Sequence, residues 1–134
     1  MENAKILIID DDPDFTAVIG SLLEDEHYSV ITAKNRTEGM EKISIDKPDL
    51  IILDVMMSSW SDGFEMAREI KLDPKQKNIP ILMLTGVESK TGIEFKSSAG
   101  DPDWLPVESF LDKSAEPGVL IEEIKKLLSI RNLK

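Results

Sequence analysis

The sequence predicts an α/β fold in which a parallel sheet carries helices on both faces. Short apolar runs of strand length alternate with longer segments whose apolar residues recur at helical spacing. These runs are apolar throughout, as expected for strands that are buried on both faces of a sheet. With 134 residues, of which 41% are hydrophobic and 31% charged, the chain is long enough to bury one core. We therefore expect residues 1–134 to form a single domain.

The first half of the chain is predicted to contain three strands and two helices. The strands cover residues 6–9, 29–33 and 50–53. Asp12 is the predicted cap of the first helix, with Pro13 at its first position. Asn35 is the predicted cap of the second helix, where Glu38 completes a capping box. The apolar residues at helical spacing in the first helix are Phe15, Val18, Ile19, Leu22 and Leu23.

The second half of the chain alternates in the same way but less regularly. A helix is expected from about residue 63 to residue 72, where Asp73 and Pro74 end it. Strands over residues 81–84 and 109–111 follow. Between them, residues 86–108 contain scattered glycines and prolines and a poor helical pattern. The final helix has an apolar face that consists of Leu120, Ile121, Ile124, Leu127 and Leu128.

The charge and composition exclude several classes of function. The formal net charge is -10, so we expect no direct binding to DNA and none to an anionic membrane surface. The chain has no cysteine, which excludes disulfides and thiol chemistry. It shows neither the pattern of a secretory signal peptide nor an apolar run of membrane-spanning length. We therefore expect a cytoplasmic protein.

Polar residues stand at the ends of four predicted strands. Asp10 and Asp11 follow the first strand, Asp54 the third, Thr85 the fourth and Lys113 the fifth. In an open parallel sheet the carboxyl ends of the strands share one edge, and ligands bind there. We therefore expect these five side chains to converge on one site.

The residue types at this edge suit phosphoryl transfer. Three neighbouring carboxylates repel each other and require a cation or a bound proton. Oxygen ligands without histidine or cysteine favour Mg²⁺, which accepts a few carboxylates and keeps several waters. A carboxylate can attack a phosphorus atom while Mg²⁺, a lysine and a hydroxyl stabilise the charge on the phosphoryl oxygens.

Over nearly its whole length the chain resembles the response-regulator receiver domains of two-component signalling. The residues that carry the resemblance are Asp10 and Asp11 after strand one and Asp54 after strand three, followed by Thr85 with Gly86 and by Lys113. The resemblance implies a flavodoxin-like, doubly wound (βα)5 fold with a five-stranded parallel sheet in the order 2-1-3-4-5. It also implies a stand-alone receiver, because no residues remain for an output domain.

The resemblance assigns roles to the acidic residues. Asp54 would be the phosphoacceptor. Asp10, Asp11 and Asp54 would hold Mg²⁺, for which Mn²⁺ can substitute, and the backbone carbonyl of Met56 would be a further ligand.

It also assigns roles to residues on the fourth and fifth strands. Thr85, Gly86 and Lys113 would contact the phosphoryl group. Thr85 and Phe110 would be the switch residues that couple phosphorylation to the protein-binding face around the fourth helix, fifth strand and last helix.

The partners implied by the resemblance are proteins. The phosphoryl group would come from a histidine kinase or a histidine phosphotransfer protein, and an unknown downstream protein would read the switch. We expect a monomer or weak homodimer. We do not expect a conventional enzyme, since self-phosphorylation from acyl phosphates and self-dephosphorylation are the only reactions implied.

Three features depart from the family pattern. Ser114 stands where the family usually has proline after the lysine, the loop after Asp54 reads VMMSSWSDG, and the stretch from Thr85 to Lys113 is longer than usual. In addition, the apolar residues Met56 and Val87 flank the site. Because they should position an attacking water poorly, we expect slow self-dephosphorylation.

Three other functions are consistent with parts of the sequence. One is a receiver-like scaffold that no longer accepts phosphate. Another is a haloacid-dehalogenase-like phosphatase with Asp10 as nucleophile, suggested by an Asp-x-Asp after a strand. The third is a flavodoxin-like cofactor binder, which is disfavoured because three aspartates would repel a flavin phosphate.

Overall fold

The strands of the protein form a parallel sheet. The computed structural model describes residues 4–54, 60–85, 109–112 and 116–132. The sheet order is β2-β1-β3-β4-β5, and every neighbouring pair is parallel. The strands are β1 (Lys5–Ile9), β2 (Ser29–Ala33), β3 (Leu50–Asp54), β4 (Ile81–Thr85) and β5 (Ser109–Asp112).

Helices cover both faces of this sheet. They are α1 (Pro13–Asp25), α2 (Arg36–Asp46), α3 (Trp60–Leu72) and α4 (Pro117–Asn132). Successive residues of a strand point to opposite faces. On β1, Leu7 and Ile9 therefore join the core cluster that includes residues of α2 and α3, whereas Ile6 and Ile8 join the cluster that includes residues of α1 and α4. The two clusters hold the sheet rigidly between two helical layers.

The predicted α/β class with a doubly wound parallel sheet is confirmed. The strands β2, β1, β3 and β4 lie in the expected order, and β5 pairs with β4 at the edge. The helix implied between β4 and β5 falls within residues 86–108, outside the described residues.

Two local predictions were wrong. The third helix begins at Trp60, not at about Gly63. The residues before Gly63 were read as loop, but the helix already includes Trp60, Ser61 and Asp62. Val18 was placed on the apolar face of α1, but its side chain is 60% exposed. Helical spacing defines a stripe, and Val18 lies on the solvent side of that stripe.

Both predicted helix caps are present. The carboxylate of Asp12 accepts hydrogen bonds from the backbone N–H groups of Asp14 and Phe15 at 3.0 and 3.2 Å. Asn35 accepts one from the N–H of Glu38 at 2.8 Å. The Glu38 carboxylate in turn accepts from the N–H of Lys34 at 3.0 Å, one residue before the cap. These caps fix where α1 and α2 leave the carboxyl edge of the sheet.

Within the described ranges, none of the helices combines the length and the apolar character that a membrane span requires.

Candidate metal centre at the carboxyl edge of the sheet

Neighbouring strands bring three aspartates together at the carboxyl edge of the sheet. Asp10 directly follows β1, and Asp54 is the last residue of β3. These strands pair so that Ile9 lies opposite Leu53, which places the two aspartates side by side. One carboxylate oxygen from each of Asp10, Asp11 and Asp54 lies within 4.8 Å of the others. The structure thus assembles three of the residues that the sequence predicted for this site.

The environment of these carboxylates favours a bound cation. Asp10 and Asp54 are only 4% and 3% exposed, whereas Asp11 is exposed to solvent. Water screens the negative charges of the two buried groups poorly, so their repulsion is strong unless a positive charge lies between them.

The donor set fits Mg²⁺. Because one oxygen of each aspartate lies within 4.8 Å of the others, one cation between them could be held by all three. Carboxylate oxygens alone, without nitrogen or sulfur ligands, suit Mg²⁺ or Mn²⁺. The one exposed member, Asp11, leaves a side of the site open to water.

Asp12 has a different role from its two neighbours. Its carboxylate caps α1, and its backbone N–H donates to an Asp10 carboxylate oxygen at 2.9 Å. This hydrogen bond helps to orient the Asp10 side chain. The amino end of α1 also begins beside the cluster, and its partial positive charge offsets some of the repulsion among the acids. Asp12 therefore supports the cluster without being one of its three carboxylates.

A cavity of about 580 Å³ opens beside the aspartates. Asp10 and Asp11 line one part of it, and Thr16, Lys34 and Glu38 line another. The sequence analysis did not select Lys34, although a signal was available, since Lys34 directly follows β2 and so stands at the same edge. This lysine lines the same cavity as Asp10 and Asp11.

The other predicted site residues are described in part or not at all. Thr85 ends β4 one residue beyond Leu84, which pairs with Asp54, so its backbone reaches the same edge. Phe110 pairs with Met83 within β5. For Thr85 and Phe110 the structure describes the backbone alone. Five further residues with predicted roles lie outside the described residues: Met56, Gly86, Val87, Lys113 and Ser114.

Comparison with known proteins identifies a family for this arrangement. The family model described as "Response regulator receiver domain" matches residues 6–125. The alkaline phosphatase synthesis transcriptional regulatory protein PhoP of Bacillus subtilis is 32% identical over 126 residues. The match covers 94% of this chain and 49% of PhoP, so this chain spans about half the length of that relative.

Solved structures give the same result. A putative response regulator from Chloroflexus aurantiacus superposes with a TM-score of 0.84 at 27% identity, covering 96% of this chain and 99% of that one. A CheY-like response regulator receiver domain protein from Methanospirillum hungatei superposes with a TM-score of 0.79 at 28% identity, covering 98% of each chain.

Proposed function

This chain belongs to the response regulator receiver domain family, and we propose that it is a switch controlled by Mg²⁺-dependent phosphorylation of Asp54. The observation that carries the proposal is the cluster of Asp10, Asp11 and Asp54, whose carboxylate oxygens lie within 4.8 Å of one another. Receiver domains interact with histidine kinases or phosphotransfer proteins. We propose such a protein as the phosphodonor.

In the proposed reaction a carboxylate oxygen of Asp54 attacks the phosphorus atom of a phosphohistidine. The new P–O bond forms an aspartyl phosphate as the P–N bond breaks, and the leaving imidazole recovers a proton from solvent. Because β3 is buried along its whole length, it holds Asp54 in a fixed position for this attack.

Asp10, Asp11 and Asp54 would hold the Mg²⁺, with the backbone carbonyl of Met56 as a further ligand. The ion would neutralise charge on the phosphoryl oxygens during transfer. The N–H of Asp12 would help to keep Asp10 in position for this role.

Residues beyond the cluster complete the proposed switch. Thr85, Gly86 and Lys113 would contact the phosphoryl group, and Thr85 with Phe110 would transmit its presence to a downstream protein. Action as a stand-alone cytoplasmic domain, as a monomer or weak homodimer, stays a prediction.

Intact mass after incubation with acetyl phosphate tests the proposal. We expect one added phosphoryl group in the presence of Mg²⁺, and none after chelation of Mg²⁺ or in Asp54→Asn. Asp12→Asn is the matched control because it removes one charge beside the site but retains a side chain that can cap α1. Addition that persists in Asp54→Asn would overturn the proposal.

The mass measurement and an assay of phosphomonoester turnover distinguish the rival functions. A silent scaffold would gain no mass under any condition. A phosphatase that uses Asp10 would turn over a phosphomonoester repeatedly and would lose that activity in Asp10→Asn. The structure gives that alternative little support, because the Asp12 carboxylate of the Asp-x-Asp pair accepts two backbone hydrogen bonds as a helix cap.

A further inference from the structure

Strand β2 forms one edge of the sheet, and among the described strands it pairs only with β1. The N–H of Ser29 and the carbonyl of Ala33 make hydrogen bonds of 2.9 and 3.0 Å to residues at the two ends of β1. The backbone polar groups of Ser29 and Ala33 therefore point toward β1. Because these groups alternate in direction along a strand, the N–H and C=O groups of Val30 and Thr32 point away from β1, toward the open edge.

These outward groups are accessible. Thr32 is exposed and Val30 is half-buried, and both line the cavity of about 580 Å³ that also reaches Asp10 and Asp11. In the described part of the chain, no backbone group pairs with the outward side of β2. An unpaired edge of this kind can accept an extended segment of another chain as an additional strand.

Strand β2 lacks the features that usually prevent such pairing. Edge strands of soluble proteins are commonly protected by a proline, a charged side chain or a bulge. The sequence of β2, SVITA, contains neither proline nor a charged residue. Its five residues pair one to one with Lys5–Ile9, so the strand has no bulge. The edge is therefore straight and open to a further strand.

The cavity lies between α1 and β2, on the side where an added strand would place half of its side chains. Val30 packs against the core cluster that includes residues of α1, so its side chain and that of Thr32 point to the α1 face of the sheet. Helix α1 lines the cavity with the small residues Ala17, Gly20 and Ser21. These small residues leave room for side chains of a strand about 4.8 Å from β2.

The charges around the cavity favour a basic segment. The Glu38 carboxylate accepts from the N–H of Lys34 at 3.0 Å, which places a negative charge at the carboxyl end of β2. The exposed Asp11 lies at the same end. The described lining contains four acids and one lysine. Because the whole chain carries a net charge of -10, a second copy would be repelled and a basic partner attracted.

We propose that β2 binds an extended, basic segment of a partner protein, which adds a strand to the open edge of the sheet. The N–H and C=O groups of Val30 and Thr32 would pair with the backbone of this segment. The carboxylates of Glu38 and Asp11 would attract a basic side chain beside the carboxyl end of β2. The proposal does not rest on phosphorylation of Asp54, so Asp54→Asn should bind the segment normally.

Hydrogen exchange of the ¹⁵N-labelled protein, measured by NMR, tests the proposal with the peptide acetyl-Lys-Val-Thr-Val-Lys-amide as probe. In the free protein, the amides of Ile31 and Ala33 face β1 and should exchange slowly, whereas those of Val30 and Thr32 should exchange fast. We expect the peptide to bind with millimolar or tighter affinity and, at saturation, to slow exchange at Val30 and Thr32 by at least about tenfold. Saturating Mg²⁺ in all samples limits attraction of the peptide to the aspartate cluster.

Two control peptides separate strand pairing from charge attraction. The same peptide with methylated backbone nitrogens keeps both lysines but cannot donate hydrogen bonds to the carbonyls of β2. The peptide with glutamate in place of each lysine keeps the backbone donors but has the opposite charge. Each control peptide should bind at least about tenfold more weakly than the probe. Equal binding of either one would overturn the proposal.

Two pairs of variants locate the binding site on the protein. Thr32→Pro removes an outward N–H without removing a hydrogen bond to β1 and should weaken binding by at least about tenfold, whereas Thr32→Val keeps the N–H and should change binding by less than about twofold. Glu38→Gln keeps an acceptor for the N–H of Lys34 but loses the charge, and it should weaken binding by about threefold. Glu41→Gln removes the same charge from an exposed position of α2 outside the described lining, so the affinity should stay unchanged.

Three results would overturn the proposal. The first is that Val30 and Thr32 gain no protection when the peptide is added. The second is that Thr32→Pro and Thr32→Val bind the peptide equally well, or that Glu41→Gln weakens binding as much as Glu38→Gln. The third is protection of Val30 and Thr32 that appears without peptide as the protein concentration rises, because the occupant of the edge would then be a second copy of this chain.

Discussion

The described residues that line a cavity at each edge of the sheet differ in charge, although strands of the same sheet run between the two edges. At the carboxyl edge, three aspartates lie together and two of them are almost fully buried. At the amino edge, two lysines (Lys47 and Lys75) and the partly buried Gln76 line a cavity with apolar walls. The acidic cluster suits a divalent cation, whereas the charged residues that line the amino-edge cavity are lysines.

The edges also differ in how the chain builds them. Strand ends build the carboxyl edge, so the backbone of a buried sheet sets the positions of Asp10 and Asp54. A helix end and a hydrogen-bonded connecting segment build the amino edge, so the positions of Lys47 and Gln76 depend on local backbone conformation. The comparison shows that strand ends and connecting segments position side chains in different ways at the two edges of one sheet.

Both edges belong to one sheet with a buried core. Removing part of that core should cause the largest change in the free energy of unfolding. Leu53 is fully buried directly before Asp54. We expect Leu53→Ala to lower the free energy of unfolding by about 2–5 kcal/mol, because it leaves a cavity in the central sheet. Urea denaturation measures this. Leu72→Ala is the control, since Leu72 is 82% exposed and its loss should cost less than about 0.5 kcal/mol. Equal losses would contradict the assignment of the core.

The second largest effect is expected from Mg²⁺ binding at the carboxyl edge, which should raise the free energy of unfolding. We expect Mg²⁺ at about one hundred times its Kd to raise the free energy of unfolding by about 2.7 kcal/mol, because it binds the folded state alone. Asp11→Asn removes one ligand of the cluster and should lose most of this gain at the same Mg²⁺ concentration. Thermal unfolding of both proteins with and without Mg²⁺ measures this gain in stability. A full gain in Asp11→Asn would show that the ion binds elsewhere.

The third prediction separates the helix cap from the metal ligands. Asp12→Ala should destabilise the protein by about 1 kcal/mol, because the first turn of α1 loses its acceptor, whereas Asp12→Asn should cost much less. Neither variant should change the affinity for Mg²⁺ beyond a small loss of general attraction. Calorimetric titration with Mg²⁺ measures the affinity. A large fall in Asp12→Asn would make Asp12 a ligand.

The smallest effect is expected at the amino edge. Lys47→Gly should raise the free energy of unfolding by about 0.5 kcal/mol, because glycine adopts the left-handed conformation with less strain. Lys42→Gly, in the interior of the same helix, should lower it by about 1 kcal/mol. The opposite signs form the test, again by urea denaturation. A loss of stability in both variants would mean that Lys47 serves the fold itself.

Much of the fold and of the carboxyl edge could be predicted from the sequence. Strand β2 has the predicted bounds, and Asp12 and Asn35 cap the helices as expected. The proximity of the three aspartates could be predicted because the carboxyl ends of the strands in a parallel sheet share one edge. Short-range patterns suffice for these features.

The remaining features depend on tertiary packing, which the sequence patterns do not contain. The exposure of Val18 depends on which side of α1 meets the sheet. The start of α3 at Trp60 lies within the stretch of small and polar residues that was predicted to be loop. The left-handed conformation of Lys47 and the burial of the Gln76 Oε1 atom arise only when α2 and the α3–β4 segment come together. For that reason the amino-edge cavity was not predicted.

Locating the phosphoryl group chemically tests the central claim most directly. The protein would be incubated with acetyl phosphate and Mg²⁺, reduced with borohydride, which converts an aspartyl phosphate to homoserine, and then digested for peptide mass analysis. The account predicts homoserine at position 54, and none there when Mg²⁺ is chelated. Homoserine at position 10 or 11 in place of position 54, or conversion at 54 that does not require Mg²⁺, would contradict it.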